Sequence, residues 1–292
     1  MRGLGINRKI AVFVGFSVFA LTAVTLLGNF FVVYEKSLKF CRSKQKGESV
    51  HLVRVGDDDR LMKLDEIASN IAPPCEVGCY KLESPNSIHF SQFLDQREVL
   101  EELFKVEEDK FFVEVGALDG EKFSNTLWLE REKGWTGLLI EPGKRSYSNL
   151  VTKRRKCWTA NACVSRSNHQ EQHVKFIENV DAPELSSFFH LTEPIFNVTL
   201  PGNHENIIEV FCLPLADLIL SLNRTRVDFL SLDTEGADAD IVQNFPWHRI
   251  DVRVIMVEKG QGETPIRIYN RMISAGYNLH KELNVDFVFV KA

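Results

Sequence analysis

From Phe111 onward the chain alternates short apolar runs with segments whose apolar residues recur at helical spacing. FFVEVG, TGLLIEP, WTANACVS, VDFLSLDTEG and RVIMVEKG read as buried strands, the third ending near Ser165. The stretches 126–133, 147–156, 213–222, 238–244 and 265–275 read as helices between them. Ser124 or Asn125 supplies the N-cap of the first helix and Gly134 ends it. Strand and helix in alternation imply a doubly wound α/β fold with a mostly parallel sheet. YNLHKEL and VDFVFVK, separated by a tight polar turn, predict an antiparallel carboxyl-terminal hairpin. Residues 170–179 predict an extra strand or hairpin, and 182–206 a long polar insertion of the kind that shapes substrate sites. Apolar residues between His89 and Lys105 predict a helix lying across one edge of the sheet.

The amino terminus follows a different pattern. Residues 10–33 are 24 in a row without a charge, which as a helix spans roughly 36 Å, enough to cross a bilayer. A cleaved signal peptide would have an apolar region of about 7–15 residues and a small-residue cleavage site; no such site follows cleanly here. The expected organisation is a tail at 1–9, a transmembrane signal anchor at 10–34, a stem or linker at 35–88, and one α/β domain at 89–292. The stem reading rests on scattered charges and the Pro73-Pro74 break.

Chemistry concentrates where the strands end. GALDG follows the first strand, so Gly116 and Gly120 sit where the backbone turns and approaches a ligand, although a tight strand-to-helix turn alone would also use them. Glu114, Asp119 and Glu141 fall at or near the carboxyl ends of strands, and Glu141, 25 positions after Gly116, stands where doubly wound folds hold ribose hydroxyls. Acids in place of phosphate-cradling amides point to a ligand that is cationic or rich in hydroxyls. S-adenosylmethionine is both. The expected cofactor residues are Glu114, Gly116, Asp119, Gly120, Asn125 and Glu141. The fourth strand delivers Asp233 and Glu235 to the same edge; Asp233 is the candidate base or orienting group for an alcohol acceptor, with helix capping as the plainer alternative. Asp233, Glu235 and Glu258 also admit a divalent-cation reading, but no metal site is expected.

SQFLDQREVLEELF, FFVEVGALDGEKFSNTLWLE, GWTGLLIEP, KCWTANACVS and VDFLSLDTEGAD together resemble the FkbM-type methyltransferase family, in particular its animal, Star-like branch. The likeness runs from about Ser91 to Ala292. It implies a seven-stranded class I methyltransferase fold, S-adenosylmethionine as cofactor, and O-methylation of a small-molecule or glycan hydroxyl. Star is regarded as a trafficking factor, so the resemblance also implies an alternative: a membrane protein that carries cargo from endoplasmic reticulum to Golgi and endosomes without catalysis.

A net charge of −5 argues against nucleic acid as a partner. The basic run Lys153-Arg154-Arg155-Lys156 reads as the solvated end of a helix. Arg2, Arg8 and Lys9 precede the span while Lys36, Lys39, Arg42, Lys44 and Lys46 follow it, so the basic-residue bias alone would keep the domain cytosolic, against the other signals. The sequons at Asn197 and Asn223 and the resemblance to a type II protein favour a lumenal domain in the endoplasmic reticulum or Golgi. Six cysteines permit disulfides there. Cys75 and Cys79 predict a local bridge, and Cys41 would be an acylation candidate if the stem were cytosolic.

Overall fold

Seven strands form the central sheet of the computed structural model. They are β1 (Phe111–Val115), β2 (Thr136–Ile140), β3 (Trp158–Ala160), β8 (Arg226–Leu232), β9 (Asp251–Glu258), β10 (Tyr277–Glu282) and β11 (Asp286–Lys291), in the order β10-β11-β9-β8-β1-β2-β3. All neighbours pair in parallel except β11, which runs antiparallel to both β9 and β10. The fold is a class I methyltransferase-like α/β fold, with the carboxyl-terminal hairpin where YNLHKEL and VDFVFVK predict it. Connection from β1 proceeds outward to β2 and β3, then returns to β8 on the other side of β1. This reversal opens a crevice at the carboxyl ends of β1, β2 and β8, where such sheets bind ligands.

The described residues are 58–75, 80–167, 172–188 and 205–292, all within a unit spanning 55–292. The expected span at 10–34, with Cys41, Cys79 and Asn197, lies outside them. No helix among the described residues is long and apolar enough to cross a membrane.

Each strand supplies both faces of the sheet, because successive side chains point to opposite sides. Phe111, Val113, Val115, Leu138, Ile140, Leu230 and Ile255 join one buried cluster, whereas Phe112, Leu139, Phe229, Val254 and Met256 join the other. The first cluster takes in α1 (Asp58–Ser69) through Leu64 and Ile67, with Ile71 just beyond it. Residues 58–75 therefore belong to the folded domain and not to a linker: apolar residues at helical spacing find a partner in α5 (Leu215–Ser221), and Ala72 bridges Thr159 on the edge strand. On the opposite face α2 (Leu94–Leu103) buries Val99 and Leu100 with Phe104, which lie among Phe112, Phe229 and Met256; the helix covers a face, not an edge.

Two predicted segments come apart in the structure. WTANACVS is not one strand: β3 ends at Ala160, and β4 (Cys163–Val164) leaves for a second sheet of order β4-β7-β5-β6. In that sheet β5 (Gln172–Asn179) pairs antiparallel with β7 (Glu205–Leu213) and with β6 (Ser187–Phe188). The long insertion read at 182–206 thus contains β6 and the start of β7, and most of β7 falls in 207–212, to which the sequence reading gave no element. The remaining helices, α3 (Leu127–Lys133), α4 (Lys144–Lys153), α6 (Asp238–Asn244) and α7 (Thr264–Ser274), fall close to their predicted places. Helix α4 starts and stops three residues early, between Gly143 in an extended conformation and Arg154 in the left-handed one.

Candidate functional site

Gly116 decides how the crevice is shaped. At φ +80 it turns the chain out of β1, and a Cβ there would lie 1.9 Å from the carbonyl oxygen of Asp233. Only glycine lets the β1 loop and the end of β8 meet this closely. The crevice between the loops opens to solvent, with about 1010 Å³ of empty space counted out to that open solvent. Gly116, Glu114, Asn125, Glu141 and Asp233 line it, whereas Asp119 and Gly120 do not.

Glu114 closes the floor and is buried. Its Oε1 accepts the backbone N–H of Asn125 at 2.7 Å, and its Oε2 accepts the hydroxyls of Ser124 at 2.9 Å and Thr126 at 2.6 Å. Ser124 Oγ in turn accepts the N–H of Leu127 at 3.1 Å, but the N-cap of α3 is Thr126, which makes no side-chain cap hydrogen bond, and not Ser124 or Asn125 as the sequence predicts. Burial pushes the Glu114 carboxyl up, against the pull of the Arg155 guanidinium.

Arg155 corrects the reading of the basic run. It is 3% exposed and Lys153 2%. Arg155 Nε lies 3.0 Å from Glu130 Oε2, its Nη1 donates to the Gly120 carbonyl, and its Nη2 donates to Thr126 Oγ1 at 3.2 Å. Lys153 Nζ meets Glu83 at 2.6 Å, Glu121 at 2.9 Å and Asp119 at 3.2 Å. The run fails to end in solvent because its alternate members point into a loop rich in acceptors. The same contacts explain why Asp119 and Gly120 are not ligand-facing: Asp119 Oδ1 accepts the N–H groups of Glu121 and Lys122, its other oxygen pairs with Lys153, and Gly120 packs its α-carbon side toward Leu150. Asp119 and Gly120 build the loop.

Glu141, just past β2, does face the crevice. One oxygen accepts Leu118 N–H at 2.9 Å and the other Gly143 N–H at 2.8 Å, which leaves each oxygen a further lone pair. Burial, with Glu178 and Asp119 nearby, pushes its carboxyl up to about 8. Beside it Ala162, Cys163, Val164 and Phe176 make an apolar wall from the second sheet. Cys163 and Cys212 form a disulfide across the paired strands β4 and β7.

At the β8 end Ser231 and Asp233 share the face that carries Glu114. Asn125 Nδ2 donates to Ser231 Oγ at 3.2 Å, which turns Asn125 toward this half and away from Glu141. Neither Asp233 nor Glu235 caps α6, whose N-cap Ala237 has no side-chain cap bond; Asp238, its first residue, instead ties down the preceding loop by accepting Thr234 N–H at 3.0 Å and Gly236 N–H at 3.3 Å. Asp233 accepts the N–H of Glu235 and is exposed to the crevice, yet protein encloses it at longer range; that enclosure, with Glu258 and Asp286, raises its carboxyl. Burial and the surrounding acids Asp233, Glu258 and Asp238 push Glu235 up to about 9. Among the described residues no group of three or more His, Cys, Asp or Glu side chains has the geometry to hold a metal ion.

The sequence profile of the methyltransferase FkbM domain matches residues 114–279, more than half of the chain. The chain belongs to this family. A search of curated proteins finds no match. Among solved structures the chain is similar to a precorrin-6y C5,15-methyltransferase from Geobacter metallireducens, at 11% identity and TM-score 0.39 over 70% of this chain and 94% of that one. It is similar to an FkbM methyltransferase from Methylobacillus flagellatus, at 12% identity and TM-score 0.35 over 62% of this chain and 43% of that one. It is also similar to Aeropyrum pernix fibrillarin in complex with S-adenosyl-L-methionine, at 13% identity and TM-score 0.35 over 68% and 72%. Within this FkbM fold the sequence reading missed Ser231, Gln92, Gln96 and Phe176 as lining residues, and Arg155 as the cation beneath the loop. Ser231 was legible, since it alternates with Leu230 and Leu232 two places before Asp233; nothing local marks Gln92, Gln96 or Phe176.

Proposed function

We propose that the crevice binds S-adenosylmethionine and that the protein methylates a hydroxyl group. The single observation that carries this reading is Glu141, held by Leu118 and Gly143 with lone pairs free at the end of β2. It supports ribose hydroxyls, the apolar wall of Val164 and Phe176 supports a flat adenine, and the close turn at Gly116 lets a ligand lie against backbone. The residues present fit the cofactor. When bound, it supplies a methyl group on a sulfonium and leaves as a neutral thioether. Asp233, its affinity for protons raised first by enclosure and then by the neighbouring acids, takes the acceptor hydroxyl's proton as the oxygen takes the methyl. Gln92 and Gln96 border this acceptor end.

Isothermal calorimetry of the full-length protein tests the reading. Saturable S-adenosylmethionine binding is expected, weakened at least about tenfold in Glu141→Gln, a loss of about 1.4 kcal/mol. No heat from the unaltered protein would sink it. Binding without methyl transfer to any hydroxyl compound would favour the trafficking role implied by the Star-like resemblance.

The reading places the domain in the lumen of the endoplasmic reticulum or Golgi, behind a single amino-terminal span. The Cys163–Cys212 disulfide supports an oxidising compartment, and Cys75 is likewise disulfide-bonded. Asn223 is exposed in the turn after α5, as a glycosylation acceptor must be. In sealed microsomes the domain is expected to resist added protease until detergent is present; digestion without detergent would reverse the topology.

A further inference from the structure

The charges of the crevice are unevenly answered. Among the described residues that line it are Glu114, Glu141, Glu184, Asp233 and Glu235, but no Lys, Arg or His. Three of these acids have local compensation. Glu114 feels Arg155, Glu141 accepts two backbone N–H groups, and Glu184 pairs with Lys122 at 3.0 Å. Among the described residues Asp233 and Glu235 have no basic partner: Asp233 accepts one backbone N–H, from Glu235, and the charged groups that act most strongly on the two are Glu258, Asp286, Asp238, Glu184, Glu114 and each other, all acids. Lys259, which acts on Asp286 at this rim, is engaged with Glu282 at 3.0 Å and the Leu283 carbonyl at 2.8 Å.

A second observation points the same way. Asn125, which lines the crevice together with Ser231, is 8% exposed, and its side-chain Oδ1 is buried with no hydrogen-bond partner. Its amide nitrogen already serves Ser231, so the orphan is an acceptor that awaits a donor. An acceptor atom without a donor and two acids without a counter-ion meet at the β8 end. Unpaired groups of this kind are costly unless a ligand completes them.

We propose that the methyl acceptor carries a cationic amino group next to the accepting hydroxyl, with Glu235 and Asp233 as its counter-charges and Asn125 Oδ1 as a hydrogen-bond acceptor for it. This rests on the methyltransferase reading above and specifies its substrate class as a vicinal amino alcohol. A neutral polyol would leave Glu235 unanswered. An ammonium group donates up to three hydrogen bonds and brings the missing charge. In the transfer, the hydroxyl oxygen forms the new C–O bond as the C–S bond breaks, its proton passes to Asp233, and the ammonium keeps its protons.

Calorimetry on the full-length protein, saturated with S-adenosylhomocysteine, compares two matched pairs of probes: glucosamine with glucose, and 2-amino-1,3-propanediol with glycerol. At least one amine is expected to bind about tenfold or more tighter than its neutral partner, and the pair that discriminates tells a sugar acceptor from an acyclic one. Glu235→Gln should bring the ratio below about threefold while S-adenosylhomocysteine still binds, which shows that the variant is folded; Asp233→Asn should act in the same direction. If S-adenosylhomocysteine binds but neither amine outdoes its partner, or the preference survives both substitutions, the amino-alcohol inference is overturned and the cofactor reading stands. If S-adenosylhomocysteine itself does not bind, both fall.

Discussion

Gly116 shows what a single residue contributes. Its missing side chain is required by the backbone of β8, since any Cβ would meet the Asp233 carbonyl at 1.9 Å, and its positive φ adds a conformational penalty for other residues. Gly116→Ala is therefore expected to lower unfolding stability by more than about 2 kcal/mol, measured by urea titration with both variants at one pH. A cost under about 0.5 kcal/mol would mean that the loop yields easily. The glycine was legible in the sequence as a sharp turn, but the partner that makes it necessary lies 117 positions away. Glu141 was legible for a different reason, because the end of a second parallel strand has a fixed relation to the first. Asp119 misled: Asp in a Gly-bearing loop serves a ligand or its own backbone equally well, and here Lys153, from a helix three elements on, decided for the backbone.

At the scale of elements, the loop between β1 and α3 is held from beneath by the segment that follows α4. Arg155 satisfies the Gly120 carbonyl, Ser124 and Thr126 while paired with Glu130, and both members of the pair are wholly buried. Removing one member leaves the other as an unpaired buried charge. Arg155→Met is expected to cost about 3–5 kcal/mol of stability, and the double variant Arg155→Met with Glu130→Leu to be more stable than that single one, both read from chemical denaturation. Equal stability of single and double variants would show that the hydrogen bonds to the loop, and not the stranded Glu130, carry the loss. A run of four basic residues gives no sign of this in sequence, since a helix end exposed to water would look the same.

Across the whole molecule, acids collected on one rim tie stability to pH. Glu141, Glu235, Asp238 and Asp286 have their carboxyls raised to about 8, 9, 7 and 6, in each case first by burial. A group that holds its proton more tightly when folded gives stability that is complete below its unfolded value and is lost as pH climbs through the folded one. Glu121 and Asp240 are lowered by Lys153 and by Arg166 and Arg267, and their contribution disappears only in acid. The melting temperature is therefore expected to fall from pH 5.5 to pH 9 by roughly 5 °C or more, and Asp233→Asn to flatten that slope. A melting temperature that rises over this interval would contradict the crowded rim.

The amino-acid sequence by itself determined the succession of strands and helices, the antiparallel hairpin at the carboxyl end, and the placing of Glu141 and Asp233 at strand ends, because each of these follows from local periodicity and from the rule that parallel strands present one common edge. Tertiary structure alone decided which acids face the crevice, that Lys153 and Arg155 turn inward, that residues 58–75 join the core, and that β4 to β7 build a second sheet. Those outcomes depend on partners far apart in the chain, whose distances and unmet hydrogen bonds exist only once the chain has folded.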